Sequence, residues 1–97
     1  MVEHVVLFAV QPDTPPEQVA LMGDRLRALQ DKIPGVASIS FGPTFTDRGK
    51  QFTHGLVVRL DGKDALEAYA EHPEHVQVLE ENIKPIVNEV VALDWFV

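Results

Sequence analysis

Residues 3–10, EHVVLFAV, decide the fold of this 97-residue chain. Side chains of alternating parity point to opposite faces of a strand. Both parities of this stretch are largely apolar, with Val6 and Phe8 on one and Val5 and Leu7 on the other. A strand that is apolar on both faces has to be covered on both sides, so we expect a packed layer on each of its faces.

The rest of the chain shows helical and strand periodicities in turn. Apolar residues spaced by three and four predict helices, and period-two alternation predicts strands. The pair Pro34-Gly35 ends the first helix, and His72-Pro73 breaks the last helical segment in two, because proline lacks an N–H and restricts the residue before it. After the first strand, the predicted elements are a helix over 15–32, strands over 36–41 and 52–60, helices over 64–71 and 73–87, and a strand over 89–97.

This order of elements is that of the split βαβ motif. It predicts an α+β fold, a ferredoxin-like four-stranded antiparallel sheet with helices on one face. The other face would carry exposed apolar side chains from three strands, namely Val5, Leu7, Val57, Val91, Leu93 and Trp95. Soluble monomers rarely expose so large an apolar surface. We therefore expect a homodimer in which two sheets pack face to face and form a dimeric α/β barrel.

Composition limits the domain count, the compartment and the partners. A chain of 97 residues, 45% of them hydrophobic and 24% charged, predicts one globular domain over 1–97. Fifteen acidic residues against eight basic ones give a net charge of −7, which disfavours nucleic acid and anionic membranes as partners. There is no apolar run long enough to span a membrane, no export signal and no cysteine, so a cytoplasmic protein is expected.

Four histidines carry the candidate chemistry. His4 lies on the first predicted strand and His54 on the third, each in parity with apolar neighbours, so both imidazoles can point to one buried face. His72 and His75 flank Pro73 at the helix break. A histidine in such a place is also commonly a half-buried side chain bonded to the backbone or to a carboxylate, and that interpretation stays open for all four.

Three motifs follow one another along the chain. They are the strand-start His4, the pair Thr53-His54, and the junction 69–75, YAEHPEH. Each is weak alone, but together and in this order they resemble the stress-responsive dimeric α/β-barrel (Dabb) family over nearly the whole chain. The resemblance implies a ferredoxin-like homodimer. The family includes polyketide cyclases as well as stress proteins and small bacterial proteins without an assigned reaction, so it does not by itself establish catalysis.

The resemblance also implies roles for individual residues. In the olivetolic-acid-cyclase-like members, a tyrosine before the junction and its last histidine carry an aldol ring closure without a cofactor. Here these match Tyr69 and His75 as catalytic residues, with His4 and His54 as substrate-binding residues, and we expect all four to line one pocket. Positions six apart lie on different sides of an unbroken helix, so Tyr69 and His75 converge only if the chain breaks near Pro73.

Metal and cofactor chemistry find little support in the sequence. His72 and His75, with Glu71 and Glu74 beside them, offer metal ligands, but the helix break spoils their spacing and cysteine is absent, so no metal is expected. The chain lacks a glycine-rich dinucleotide turn and a Gly-x-Ser-x-Gly nucleophile motif, so no cofactor is expected. Haem-degrading monooxygenases share the dimeric fold class, and haem binding by the histidines stays an open alternative.

Two functions from different classes fit these residues. The favoured one is a small homodimer that binds a hydrophobic small molecule and is stress-associated or of unassigned reaction. The alternative is a cofactor-free polyketide cyclase or lyase in which a neutral His75 removes a proton and Tyr69 stabilises the enolate. A third interpretation is purely structural. In it, Tyr69 is a core aromatic residue whose hydroxyl contacts water, and His75 is a residue of the first turn of a helix.

Overall fold

The computed structural model describes residues 1–97 as a four-stranded antiparallel sheet with helices on one face. The strands are β1 (Val2–Val10), β2 (Val36–Pro43), β3 (His54–Leu60) and β4 (Val87–Phe96). The helices are α1 (Pro16–Ala28), α2 (Lys63–Glu71) and α3 (Pro73–Val78). A 3₁₀ turn over Leu29–Asp31 extends α1, and a π turn over Leu79–Ile83 extends α3. The predicted ferredoxin-like α+β fold is confirmed.

The sheet order places β1 inside the sheet. The strands lie in the order β2-β3-β1-β4, and every pair is antiparallel. Val6 on β1 faces Leu56 on β3 and Ala92 on β4 across the ladder. The strand whose sequence is apolar on both faces is therefore an inner strand of the sheet.

The core lies between the helices and one face of the sheet. The side chains of Val6 and Phe8 on β1 and of Val58 and Leu60 on β3 are buried there. From α1, Leu26 packs into the same cluster. None of the helices combines the length and the apolar character that crossing a lipid bilayer requires.

The last helical segment is more irregular than its apolar spacing predicts. The α-helix ends at Val78, and a π turn follows, in which the Lys84 N–H donates to the Leu79 carbonyl. Pro85 then ends the helix, because it has no N–H to donate. The chain enters β4 at Val87, two residues earlier than the predicted start of that strand.

The break between α2 and α3 lies where the sequence predicts it. Pro73 is the first residue of α3, a position where a backbone N–H would have no partner within the helix. His72 has extended backbone and acts as the N-cap, with its Nδ1 accepting a hydrogen bond from the Glu74 N–H at 3.1 Å. His72 therefore has a structural role at the junction.

Gly35 forms the turn into β2 in a conformation that favours glycine. Its φ is +88°, and a Cβ atom built on it would lie 2.8 Å from the Ala65 Cβ. We expect Gly35→Ala to lower the free energy of unfolding by about 1–3 kcal/mol, because it adds both backbone strain and a steric clash. Urea denaturation measures this. Gly62→Ala is the matched control, since nothing lies within 4 Å of a Cβ there, and a change below about 1 kcal/mol is expected. Equal losses in both variants would contradict this account.

Candidate functional site

His4 is held in place by a carboxylate on the neighbouring strand. His4 on β1 and Asp94 on β4 are direct partners in the antiparallel ladder. The His4 Nδ1 lies 2.5 Å from the Asp94 Oδ1. Because a carboxylate only accepts hydrogen bonds, Nδ1 carries the proton and Nε2 is the ring nitrogen left for another group.

Tyr69 and His75 meet across the helix break. Tyr69 lies near the end of α2 and His75 in the first turn of α3, and their ring centroids are 4.5 Å apart with planes inclined by 48°. The His75 Nδ1 donates to the Ala70 carbonyl oxygen at 3.1 Å. In the neutral ring, Nε2 therefore holds the free lone pair. The His4 ring packs edge-on against Tyr69, with centroids 6.0 Å apart.

The surroundings of His75 favour its neutral form. Burial lowers the pKa of His75 below its ordinary value of 6.5, and the nearby His4 and His72 lower it further, while the hydrogen bond to Ala70 opposes the shift. A neutral imidazole with a free Nε2 is able to accept a proton at neutral pH. His75 is therefore chemically competent as a general base.

The Tyr69 hydroxyl is buried without a partner. The side chain is 1% exposed, and its oxygen makes no hydrogen bond within the chain. Burial raises the pKa of Tyr69 to about 12, so the phenol stays protonated at neutral pH. An unpaired polar group in the core is costly, which makes this hydroxyl a ready donor to an incoming oxygen atom.

A cavity of about 180 Å³ lies between the sheet and the helices at these three residues. His4, Tyr69 and His75 line it together with apolar side chains from the sheet, α1 and the π turn, among them Leu56 and Ile83. A dry apolar cavity of roughly 150 Å³ accommodates benzene. The cavity therefore matches a ligand of about one six-membered ring.

The structure brings three of the four predicted site residues together and leaves His54 outside. His54 lies on the same sheet face as His4 but is absent from the cavity lining. Its ring stacks on Phe41 at 5.7 Å, and its Nδ1 lies 2.8 Å from the Thr53 Oγ1. Burial lowers the pKa of His54. Parity placed His54 on the correct face, but the Phe41 ring beside it was not visible from the pattern.

Asp94 is the site residue that sequence reasoning missed. The acid interrupts the otherwise apolar run of residues 90–97, and that interruption was the available signal. The residue it would pair with depends on the register between β1 and β4, which are almost the full length of the chain apart. Residue patterns within one strand do not contain that register.

Comparisons with known proteins agree with this architecture. The family model of the Stress responsive A/B Barrel Domain matches residues 2–97. The chain belongs to this family. It is 35% identical over 96 residues to a stress-response A/B barrel domain-containing protein of Arabidopsis thaliana, covering 98% of this chain and 36% of that protein. This Dabb chain spans less than half of the length of the curated relatives it matches.

Solved structures share the fold of this Dabb chain. A dimeric ferredoxin-like protein of unknown function from Thermobifida fusca superposes with a TM-score of 0.86 at 28% identity, covering 99% of this chain and 90% of that one. A hydroxynitrile lyase from Passiflora edulis superposes with a TM-score of 0.89 at 18% identity, covering 99% and 92%. Likeness at that lower identity shows a common fold alone.

Replacing Tyr69 by phenylalanine tests whether its hydroxyl lacks a hydrogen-bond partner in the folded Dabb protein. We expect Tyr69→Phe to raise the free energy of unfolding by about 1–2 kcal/mol, because it removes a buried polar group that has no partner and keeps the ring. Urea denaturation at neutral pH measures the change. A loss of stability would show that the hydroxyl is satisfied in the folded protein.

The lowered pKa of His75 predicts how stability varies with pH. A base whose pKa is lowered by folding binds fewer protons when folded, so its contribution is present above the unfolded value near 6.5 and is lost as the pH falls. We expect the free energy of unfolding to fall between about pH 7.5 and about pH 5, and to fall less in His75→Asn.

Burial also lowers the pKa of His54, so His54 contributes to the same pH dependence. Part of the fall in the free energy of unfolding should therefore remain in His75→Asn. An NMR titration of the wild-type imidazoles measures the pKa of His75 directly. A value above 6.5 would contradict the assignment.

Proposed function

We propose that this Dabb protein is a homodimer whose cavity binds a small, largely apolar molecule that carries a carbonyl oxygen. The observation that carries the proposal is the buried Tyr69 hydroxyl, which has no partner within the chain and belongs to a residue that lines the cavity. A carbonyl oxygen would accept from this hydroxyl and satisfy it. The free Nε2 atoms of His4 and His75 add two more polar contacts at the same cavity.

The lining of the cavity supports an uncharged ligand. Most of the lining side chains are apolar, and neither lysine nor arginine is among them. A phosphate or carboxylate group would lose its hydration there without a cationic partner, which is strongly unfavourable. The volume of about 180 Å³ favours one ring or a short chain.

A second candidate function is cofactor-free aldol-type ring closure, and the pairing of Tyr69 with a neutral His75 favours it. The His75 Nε2 would take a proton from the carbon beside a carbonyl, while the Tyr69 hydroxyl donates to the enolate oxygen. The enolate carbon then attacks a second carbonyl of the same molecule and forms the new C–C bond. The resulting alkoxide takes the proton back from His75. His4, oriented by Asp94, would accept a hydrogen bond through its Nε2 from an enol hydroxyl of the substrate.

The uncovered sheet face supports the homodimer. On the face opposite the helices, several large apolar side chains are exposed, with Leu93 64% exposed and Trp95 46% exposed. Leu7, Val57 and Val91 extend the same patch across β1, β3 and β4. Soluble monomers rarely leave such a patch open, and a second copy would cover it. The dimeric relative from Thermobifida fusca adds to this support.

A charge placed on that face tests the homodimer. We expect the wild-type chain of 10.8 kDa to sediment at twice its mass at micromolar concentration. Leu93→Asp should raise the dissociation constant at least tenfold, because a carboxylate would be buried at the interface. Leu21→Asp is the matched control, since Leu21 is 50% exposed on α1, away from the sheet face. A monomeric wild-type protein, or equal weakening by both variants, would contradict the assembly.

Acetophenone provides a direct test of ligand binding, because it joins one ring to one carbonyl. We expect calorimetry to detect its binding to the wild-type protein, and Tyr69→Phe to raise the dissociation constant by about 3–10-fold, the value of one neutral hydrogen bond. Met22→Leu keeps the volume of a buried side chain outside the cavity lining and should leave the constant unchanged. No binding by the wild-type protein would overturn the proposal.

Deuterium exchange into the methyl group of acetophenone separates the two candidate functions. If the site abstracts protons, the wild-type protein should speed the exchange measured by NMR in D₂O, and His75→Ala should lower that rate by roughly 10²-fold. Tyr69→Phe should then lower the exchange rate by a larger factor than the factor of about 3–10 by which it weakens binding, because the hydrogen bond strengthens as the enolate forms. Exchange no faster than in buffer, with binding intact, would contradict the cyclase and leave the binding function.

A further inference from the structure

Three aromatic rings lie together on the side of the cavity that faces β2. Phe8 lines the cavity and is 2% exposed. It lies directly opposite His54 in the ladder between β1 and β3, yet His54 does not reach the cavity. The Phe41 ring from β2 lies 6.1 Å from the Phe8 ring and 5.7 Å from the His54 ring. We call these three side chains, Phe8, Phe41 and His54, the aromatic wall.

Phe41 is held in place by α1. A Cβ atom built on Gly23 would lie 2.9 Å from the Phe41 ring, so this ring packs against the bare backbone of the helix. The Arg27 guanidinium lies over the same ring at 5.6 Å from its centroid. Arg27 also donates from Nη2 to the Phe41 carbonyl oxygen at 3.0 Å. These contacts with α1 hold Phe41 in the wall.

His54 supports the other side of Phe41. The two rings are nearly parallel, with 15° between their planes. The Nδ1 of His54 is hydrogen-bonded to the Thr53 Oγ1 at 2.8 Å, and that oxygen accepts from the Val10 N–H at 3.2 Å. The imidazole is therefore oriented by the end of β1 while its face packs on Phe41.

A shallow surface depression of about 320 Å³ lies beyond the wall, between α1 and β2. Phe41 and His54 line this depression, whereas Phe8 lines the cavity, and the two spaces share no lining residue. The aromatic wall thus lies between the cavity of about 180 Å³ and this surface depression.

We propose that the aromatic wall sets the length of the ligand, with Phe8 in contact with it and Phe41 and His54 as positioning residues behind. The inference rests on the proposed function and narrows the substrate class to carbonyl compounds of about one ring. A longer substituent would have to displace Phe8 toward a Phe41 ring that α1 and His54 hold in place. His54 thereby takes part in selectivity without touching the ligand, in contrast to the substrate-binding role that the resemblance implies.

A series of 4′-alkylacetophenones, from methyl to butyl, tests the wall. By calorimetry, the wild-type protein should bind 4′-butylacetophenone at least about tenfold more weakly than acetophenone. Phe8→Ala should reverse this order and bind the butyl compound at least about tenfold more tightly than the wild-type protein does, because the opened space buries the added methylene groups. Phe8→Leu should shift the preference in the same direction by a smaller factor.

Substitution of Phe41 tests whether it positions Phe8 or only stabilises the fold. Phe41→Leu should also relax the length limit, whereas a purely structural role would lower the melting temperature and leave the order of affinities unchanged. Leu60→Val is the matched control, because Leu60 is fully buried on the same face of β3 but does not line the cavity. If Phe8→Ala does not fold, the Phe8→Leu and Phe41→Leu results decide the question.

Two negative results are distinguishable. If the wild-type protein binds acetophenone and the folded Phe8 variants keep the wild-type order of affinities, the role of the wall is overturned while the proposed function stands. If the wild-type protein binds no member of the series, the proposed function fails and the inference fails with it.

Discussion

The need to cover both faces of β1 shapes the rest of the molecule. One face presents Val6 and Phe8 to the helices, and the other presents Val5 and Leu7 to the outside of the sheet. Helices on the first face produce the core and leave a cavity above His4. The second face has no cover within the chain, and burial of such apolar surface is the dominant driving force for association. The site and the proposed dimer interface are therefore two sides of one strand.

The helix break at Pro73 brings Tyr69 and His75 together at the cavity. In a continuous helix, Tyr69 and His75 would point about 240° apart around the axis. The break turns α3, and the capping bond of His72 stabilises its new start. The two rings then face each other at 4.5 Å. The same junction aligns the Ala70 carbonyl with His75, so one local irregularity both joins the pair and selects the tautomer of the imidazole.

The site keeps polar groups where the core would favour apolar ones. The unpaired Tyr69 hydroxyl costs folding free energy, and burial of His75 does so once the pH falls below the ordinary pKa of the imidazole. Such costs are typical of binding and catalytic sites, because a ligand is needed to satisfy the groups involved. The aromatic wall contrasts with them, since Phe8 and Phe41 are packed against neighbours and His54 has its hydrogen bond. Reactive groups lie at one end of the cavity and a fixed boundary at the other.

Local sequence determined the elements, their order and the break, because apolar periodicity and the pair His72-Pro73 act over a few residues. It also put His4 and His54 in parity with the apolar residues of their own strands, while the register between β1 and β3 placed both on one face of the sheet. Only the tertiary structure decided that Asp94 orients His4, and that His54 stacks on Phe41 and does not line the cavity. Both depend on strand register and ring packing between residues distant in the chain, and local patterns do not encode those contacts.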